Sequence, residues 1–337
     1  MKNHYDVIII GAGPAGLECA RTLMNSDLKV LILDKSKIIG TKICAGGVKD
    51  SESIVDVPEE LVKRFKKHIS FLRSHKTELS LEKDQFKCFE RVDFGQYLLK
   101  QIEKAKNITI INPILVKKIL KGEIETNQGN FTFKYLVGAD GSNSIVRAFL
   151  GLSSKHCMGL YYNIKPTSNE LIAYYDPKTI KTGYIWEFPH KEVNNVGIYF
   201  DLKLLNPQKA KQYLQDYLNQ KGYKYEENEF YGALINYDYQ GHEFGNIFLC
   251  GDAGGFASRL HGGGMSNGMT SGRDIARKIL EGNYDYQGIK NLLEKKKQES
   301  RLLDMVERLP AWALDILFFI VLKLVKLPFI GKRINLM

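Results

Sequence analysis

The sequence predicts an α/β protein, in which a doubly wound parallel sheet is interrupted by a mostly antiparallel β-sheet and followed by C-terminal helices. Three observations carry that expectation. The chain opens on an apolar run, Val7 to Ile10, that stops at Gly11-Ala12-Gly13-Pro14-Ala15-Gly16, and a second apolar run ends in Asp34. From about residue 158 to 235, aromatic and β-branched runs punctuated by Gly, Asn and Pro replace the earlier character. The short run Ile247–Cys250 then leads into a second glycine-rich turn. A chain of 337 residues has room for two such units.

Lys2 to Ile10 reads as a strand, residues 14–26 as a helix and Lys29 to Leu33 as the next strand, a βαβ unit. The glycines have distinct duties. Gly11 allows a tight turn after the strand, Gly13 lets backbone approach a pyrophosphate, and Gly16 lets helix and strand pack closely. The helix N-terminus offers unpaired N–H groups and a positive dipole end to phosphates. Asp34 lies 18 residues past Gly16, close to the roughly 20 expected for an acid on a ribose hydroxyl. The agreement of strand, glycines, helix, second strand and acid points to a dinucleotide site. Its expected residues are Gly11 through Gly16, Asp34 and Lys35. A glycine-rich turn in an unrelated α/β protein is the alternative.

The following elements are less regular. Residues 58–67 read as helical from Pro58, 69–89 as short strands, and Phe94 to Ala105 as a helix with Phe94, Tyr97, Leu98 and Ile102 on one face. Strand-like pieces follow at 108–111, 114–120, 123–126 and 131–137. In the β-rich region, strands are expected at Leu160–Ile164, Leu171–Tyr175, Gly183–Phe188 and Val196–Phe200, with a helix over 207–220. Ile247–Cys250 returns to the first sheet, and a helix covers 264–281. Between Pro310 and Pro328 there is room for one helix, apolar nearly all round, with only Asp315, Lys323 and Lys326 charged. Its uninterrupted run Ile316–Leu322 is shorter than the ~20 residues a membrane span needs. The lysines and Lys332-Arg333 suit a helix lying in a headgroup interface. A helix packed on the protein or lidding an apolar cavity is the alternative.

The net charge of +10 favours anionic partners. No dense Lys/Arg tract interleaved with aromatics appears, so nucleic acid is not expected. Cys19, Cys44, Cys88, Cys157 and Cys250 are scattered without CxxC spacing, which fits a reducing cytosol and no metal site. Asp6 interrupts any signal-peptide pattern, so the expected location is cytoplasmic, peripheral on the membrane face if the last helix binds there.

Two further stretches separate the candidate cofactors. GADGSNSIVR at 138–147 and GDA at 251–253 resemble signatures of FAD-dependent oxidoreductases of the para-hydroxybenzoate hydroxylase type. The resemblance implies FAD contacts at Ala139, Asp140, Gly141, Gly251 and Asp252, with the Asp252 carboxylate on a ribityl hydroxyl. Arg91 in ERVDFGQYL matches that superfamily's FAD arginine, although Gly95 stands where its usual acid would be. For Arg91 a solvated charge at a helix start is the other reading.

GTKICAGGV (40–48), GYIWEFP (183–189) and GDAGGFASRLHGGGMSNGMTSGRDIA (251–276) together resemble the geranylgeranyl reductase family of flavoproteins. The resemblance adds Cys44, Ala45, Gly46, Gly47, Gly263, Gly264 and Met265 to the FAD site. It implies substrate contacts at Tyr184, Trp186, Phe188 and Pro189. Alternation along that strand puts Tyr184, Trp186 and Phe188 on one face, an aromatic wall. The departures are Ala45 for a Gly, Arg259 for a Pro and His261 for a Thr; if the alignment holds, Arg259 and His261 lie beside the flavin. The catalytic residues are unknown, with Cys44, His261 and Tyr184 as candidates. Cys44 reads equally as a redox thiol, a proton donor or a small buried residue beside the contacting backbone of Gly46 and Gly47.

The implied activity is FAD-dependent reduction of isoprenoid double bonds on a prenyl lipid, prenylquinone or prenyl diphosphate. A flavin monooxygenase or halogenase, and a non-enzymatic lipid-binding or electron-relay flavoprotein, are the alternatives. The electron donor is open among NAD(P)H, a ferredoxin and a deazaflavin. Expected partners are an isoprenoid lipid, an anionic membrane surface and a redox donor protein. The expected division assigns 1–67, 90–157 and 240–285 to a Rossmann-like FAD-binding domain and 68–89 and 158–239 to a substrate domain. Residues 286–337 form a helical, candidate membrane-associating segment.

Overall fold

A computed structural model describes residues 3–52, 56–81 and 85–324. The first sheet has eight strands. Asn3–Ile10 lies at its centre and pairs in parallel with Val30–Leu33 on one side and Gly129–Gly138 on the other. Ile108–Ile111 extends the first side and Ile247–Leu249 the second, both in parallel. The order of strand addition therefore reverses at the first strand, the topological switch point where open α/β sheets bind ligands beyond their carboxyl ends. The strands are continuous apolar runs: Val7, Ile8, Ile9, Leu31 and Ile32 are fully buried, as expected of a parallel sheet covered on both faces. Val116–Leu120 and Glu123–Thr126 form an antiparallel ribbon on Gly129–Gly138.

Helix α1 (Pro14–Leu23) follows the glycine turn, with Pro14 in its first turn, where no N–H is missed. It ends three residues short of the expected 14–26, at a turn in which Asn25 takes φ +65°. Helix α2 (Arg91–Ile102) starts earlier than the expected Phe94. Arg91 thus begins a helix instead of preceding one. Helix α3 (Ile145–Phe149) is short, and the Ser144 side chain accepts the Arg147 N–H at its start.

The second sheet has seven strands, in the order Phe230–Asn236, His156–Ile164, Asn194–Asp201, Tyr184–Pro189, Ile172–Tyr175, Lys67–Leu72, His75–Ser80. All its pairs are antiparallel except Ile172–Tyr175 with Lys67–Leu72. Helix α4 (Pro207–Gln220) covers one face, packing Ala210, Leu214 and Leu218 against Tyr162, Ile185 and Phe200. The other face carries Tyr161, Tyr184, Trp186, Phe188 and Tyr199.

The expected helix over 58–67 is not formed. A single turn at Glu59–Leu61 gives way to a strand, Lys63–Phe65. That strand pairs with Phe86–Cys88, which also pairs with Gly47–Lys49, in a separate three-stranded sheet. Long-range pairing overrides the local helical pattern there. Phe86–Cys88, grouped above with the substrate domain, therefore shares a sheet with two segments grouped with the first domain.

Helix α5 (Met265–Glu281) packs on α1 so closely that a Cβ at Gly272 would fall 2.2 Å from the Ala15 carbonyl oxygen. Helices α6 (Gln287–Val306) and α7 (Ala311–Leu324) complete the described chain. α7 lays Leu314, Phe318 and Leu322 inward, and Arg73 Nη2 reaches Asp315 Oδ2 at 2.5 Å. No helix among the described residues is long and apolar enough to cross a membrane. The expectations for Lys326, Pro328, Lys332 and Arg333 lie outside the described residues.

Candidate active site

Four strand ends converge at the carboxyl edge of the first sheet. Backbone bonds lock them together: Gly11 N–H donates to the Leu33 carbonyl (2.7 Å), Ala139 N–H to Ile10 (2.8 Å) and Cys250 N–H to Gly138 (2.9 Å). A cavity of about 620 Å³ opens over this edge and runs to the aromatic face of the second sheet. One wall is backbone and small residues, Gly11 to Ala15, Ala139 to Gly141, Gly251-Asp252 and Gly262 to Met265. The opposite wall is made of rings, Tyr161, Tyr184, Trp186, Phe188 and Tyr199. Lys35, Cys44, Ala45, Gly46 and Gly47 also line the cavity.

Gly11 and Gly16 meet the turn and packing conditions their spacing implies. At Gly11, φ is +105° and a Cβ would fall 2.3 Å from the Ala139 oxygen. A Cβ on Gly16 would fall 1.9 Å from the Gly11 oxygen, so Gly16 is a packing contact and does not line the cavity. A Cβ on Gly13 would meet nothing within 4 Å, which leaves its backbone approachable from the cavity. The helix that follows begins at Gly13 with no side-chain cap, and α5 begins at Gly264 in the same way. Two positive helix ends therefore meet the cavity.

Asp34 is more occupied than the sequence suggested. Its Oδ2 accepts the Ala12 N–H and its Oδ1 the Ser36 N–H, both at 2.7 Å. Each oxygen keeps a second lone pair for a sugar hydroxyl. Asp140 Oδ2 accepts the Ile145 N–H at 2.6 Å and so caps α3. Its Oδ1 is buried without a partner, and burial raises its pKa. Asp252 faces the cavity and accepts from Ser142 Oγ (3.0 Å) and Lys42 Nζ (2.8 Å).

Arg91 is 7% exposed, and its Nη1 is buried with no hydrogen-bond partner. Burial lowers its pKa, but an arginine retains its proton at any working pH. A desolvated cation on a cavity wall is costly unless an anion completes it. That excludes the solvated-surface reading of Arg91. This orphaned guanidinium, the open Gly13 backbone and two uncapped helix N-termini fit a dinucleotide's pyrophosphate. The continuous cavity, with small residues and backbone on one side and rings on the other, fits FAD and an apolar substrate.

The remaining expected residues divide. Cys44 Sγ accepts the Gly46 N–H at 3.4 Å within its turn. Tyr184 lines the cavity but donates its hydroxyl to the His261 carbonyl (2.9 Å), and burial raises its pKa. His261 lines the cavity, with Nδ1 accepting from Gly263 N–H (3.2 Å) and Nε2 3.9 Å from Glu299. Desolvation lowers its pKa against the pull of Glu299, which favours the neutral ring. Pro189 ends its strand and does not line the cavity. Arg259 departs from expectation: it lies outside the cavity lining and contacts Asp201 (2.8 Å) and Glu307 (2.6 Å), over the Tyr237 ring. Three carboxylates, Asp201, Asp304 and Glu307, invisible as partners in the sequence, claim its charge.

Sequence reasoning missed Lys42, although GTKICAGGV places it two residues before Cys44. It also missed His190, immediately after Pro189. His190 is 3% exposed, with Nδ1 2.9 Å from Glu90 Oε1 and Nε2 3.0 Å from the Ala45 carbonyl. It ties the end of the aromatic strand to the glycine turn on the opposite wall. A buried His after an apolar strand was the available signal.

The fold and cavity define the class: an FAD-dependent oxidoreductase with an inserted antiparallel substrate sheet. The Thi4 family model matches residues 2–144. An uncharacterized protein of Methanosarcina barkeri is 32% identical over 307 residues, covering 85% of this chain and 78% of its own. A digeranylgeranylglycerophospholipid reductase of Methanococcus vannielii is 28% identical, covering 84% of this chain and 80% of its own. A geranylgeranyl bacteriochlorophyll reductase-like protein from Thermoplasma acidophilum superposes with a TM-score of 0.79 at 21% identity, over 94% of this chain and 91% of that one. The chain belongs to the geranylgeranyl reductase family of FAD-dependent oxidoreductases.

Proposed function

We propose that this flavoprotein reduces carbon–carbon double bonds of a prenyl chain carried by a lipid. The observation that carries the reading is the continuity of one cavity from the dinucleotide edge to a wall of five buried rings. When bound, reduced FAD supplies the hydride. We assign the cofactor to the residues of the first wall, with Arg91 at the pyrophosphate and Asp252, held by Lys42 and Ser142, at a sugar hydroxyl. Asp34 serves the ribose. Domain limits follow the sheets, with the eight-stranded sheet on the cofactor side and the seven-stranded sheet on the substrate side.

An isolated alkene has no polar handle for the protein to polarise. The chain's own contribution is therefore positioning and exclusion of water. Tyr184, Trp186 and Phe188 stand within 6.3 Å of one another, ring to next ring, and form a continuous apolar surface. Burying a prenyl chain there contributes about 0.8 kcal/mol per CH₂. Trp186 is fixed by its Nε1–H on Asn195 Oδ1 (2.7 Å). Its indole also occupies the space that a Cβ on Gly197 would fill, so Gly197 is the indole's seat.

No second nucleotide fingerprint occurs in the sequence, which supports transiently docked NAD(P)H, a ferredoxin or a deazaflavin as electron donor. The test is anaerobic. Chemically reduced protein is offered geranylgeranyl lipids, the diphosphate and prenylquinones, and products are weighed. Gains of two hydrogens with flavin reoxidation are expected. Reoxidation by none of them, with oxygenated product in air, transfers the protein to the monooxygenases.

A further inference from the structure

Helix α7 is apolar on two opposite faces. Leu314, Phe318 and Leu322, at four-residue spacing, face the protein. Trp312, Ile316, Ile320 and Leu324, at the same spacing, face outward and are 67%, 52%, 46% and 37% exposed. Phe319 lies beside that stripe, and Leu302 and Met305 at the end of α6 are also exposed. Scattered surface leucines need no explanation, whereas a row of large apolar side chains led by a tryptophan does.

We propose that the outward face of α7 docks on an anionic lipid bilayer, and that the prenyl chain reaches the cavity from the bilayer past this helix. The proposal rests on the prenyl-reductase reading for its second half only. Charge supports a bilayer as the occupant. The acids from Arg301 to Leu324 are Asp304, Glu307 and Asp315, and each faces an arginine, Arg259 or Arg73. Arg301, Arg308 and Lys323 are exposed. The remaining sequence, 325–337, carries three cations and no acid. A symmetric contact with a second copy would bring these positive flanks together, whereas an anionic headgroup layer complements them.

Position supports the second half. Tyr184 lines the cavity, and its ring centroid is 5.9 Å from that of Tyr175. Tyr175 is in turn 5.4 Å from Phe318 on the inner face of α7. A single ring therefore separates the helix from the cavity wall. The Arg73–Asp315 pair pins the helix there, so a surface that meets lipid on one side backs the aromatic wall of the cavity on the other.

The experiment uses the flavin-loaded full chain. Flotation with phosphatidylcholine vesicles containing phosphatidylglycerol is compared with phosphatidylcholine alone. Binding should prefer the anionic vesicles and weaken with salt. Trp312→Ser/Ile316→Ser should lower it by roughly ten-fold or more. Trp312 is the exposed one of two tryptophans, so vesicles should blue-shift emission in the parent and not in Trp312→Phe. The double variant should lose turnover of a geranylgeranyl lipid in vesicles and keep turnover of a short, water-soluble prenyl substrate. Unchanged flotation in the variant overturns the docking proposal, as does a vesicle-independent dimer that the variant dissolves. Equal loss on both substrates overturns the access route. If no substrate is reduced, the reductase reading fails while the flotation result stands independently.

Discussion

The two walls of the cavity are built on opposite principles. The cofactor wall is nearly side-chain-free: glycines, alanines and backbone N–H groups at strand ends. The substrate wall is nearly all side chain, five rings on the alternate positions of adjacent antiparallel strands. Where the space for a Cβ is already filled by backbone, as at Gly11, such a wall tolerates no change. A ring wall tolerates change of shape but not loss of volume. The first suits a constant ligand, and the second can be retuned for chain length without disturbing the first.

The largest test of this contrast is Gly11→Val. There φ is +105° and a Cβ would fall 2.3 Å from the Ala139 oxygen, and overpacking against backbone costs about 1–3 kcal/mol or more. The expected outcome is protein without flavin and a lowered melting temperature, read by absorbance and thermal unfolding.

Outside the cavity, Arg259→Leu should destabilise the protein by about 3–5 kcal/mol, because it strands the buried Asp201 and the half-buried Glu307. Flavin content should stay normal in the folded fraction. Arg91→Leu should do the reverse. It removes a buried charge that has an unpartnered nitrogen, so apoprotein stability should hold or rise in denaturant titration. Flavin affinity should fall by ~10- to 100-fold, the worth of about 1.5–3 kcal/mol for a charged hydrogen bond. If Arg259→Leu empties the flavin site or Arg91→Leu unfolds the protein, the assignment of the two arginines is reversed.

The smallest effect concerns pH. His68 is buried in the second sheet, and desolvation lowers its pKa from 6.5 to about 3. A histidine depressed in the folded state stabilises above its unfolded pKa and withdraws that stability as pH falls. From pH 7 to 5 this site alone should withdraw about 2 kcal/mol. His68→Leu should flatten that part of the stability–pH curve, and a parallel curve would show the ring is not buried neutral.

The same contrast explains what was legible. Gly11, Gly13, Gly16 and Asp34 announced themselves because a turn, an approach and a packing contact each impose a residue type at a fixed offset. The alternation of Tyr184, Trp186 and Phe188 was readable for the same reason. The false helix at 58–67 was a local pattern overruled by pairing between Lys63–Phe65 and Phe86–Cys88. Lys42 on Asp252, Arg259 on Asp201 and His190 on Ala45 involve partners 210, 58 and 145 positions away. No local spacing encodes such pairs, so a charged residue's role depended on what the fold brought to it.

The strand Ile247–Leu249 has one more consequence. It completes the first sheet beside Gly129–Gly138, after five of the seven strands of the second sheet have intervened in the chain. During synthesis at ~5–20 residues per second, the growing polypeptide displays the glycine turn more than 200 residues before Asp252. It cannot display Asp252 or the start of α5 until every strand of the second sheet has been made. Cofactor capture is thus a late checkpoint: a product truncated before Ile247 leaves the Leu136–Gly138 edge bare and holds half a site, a natural mark for degradation.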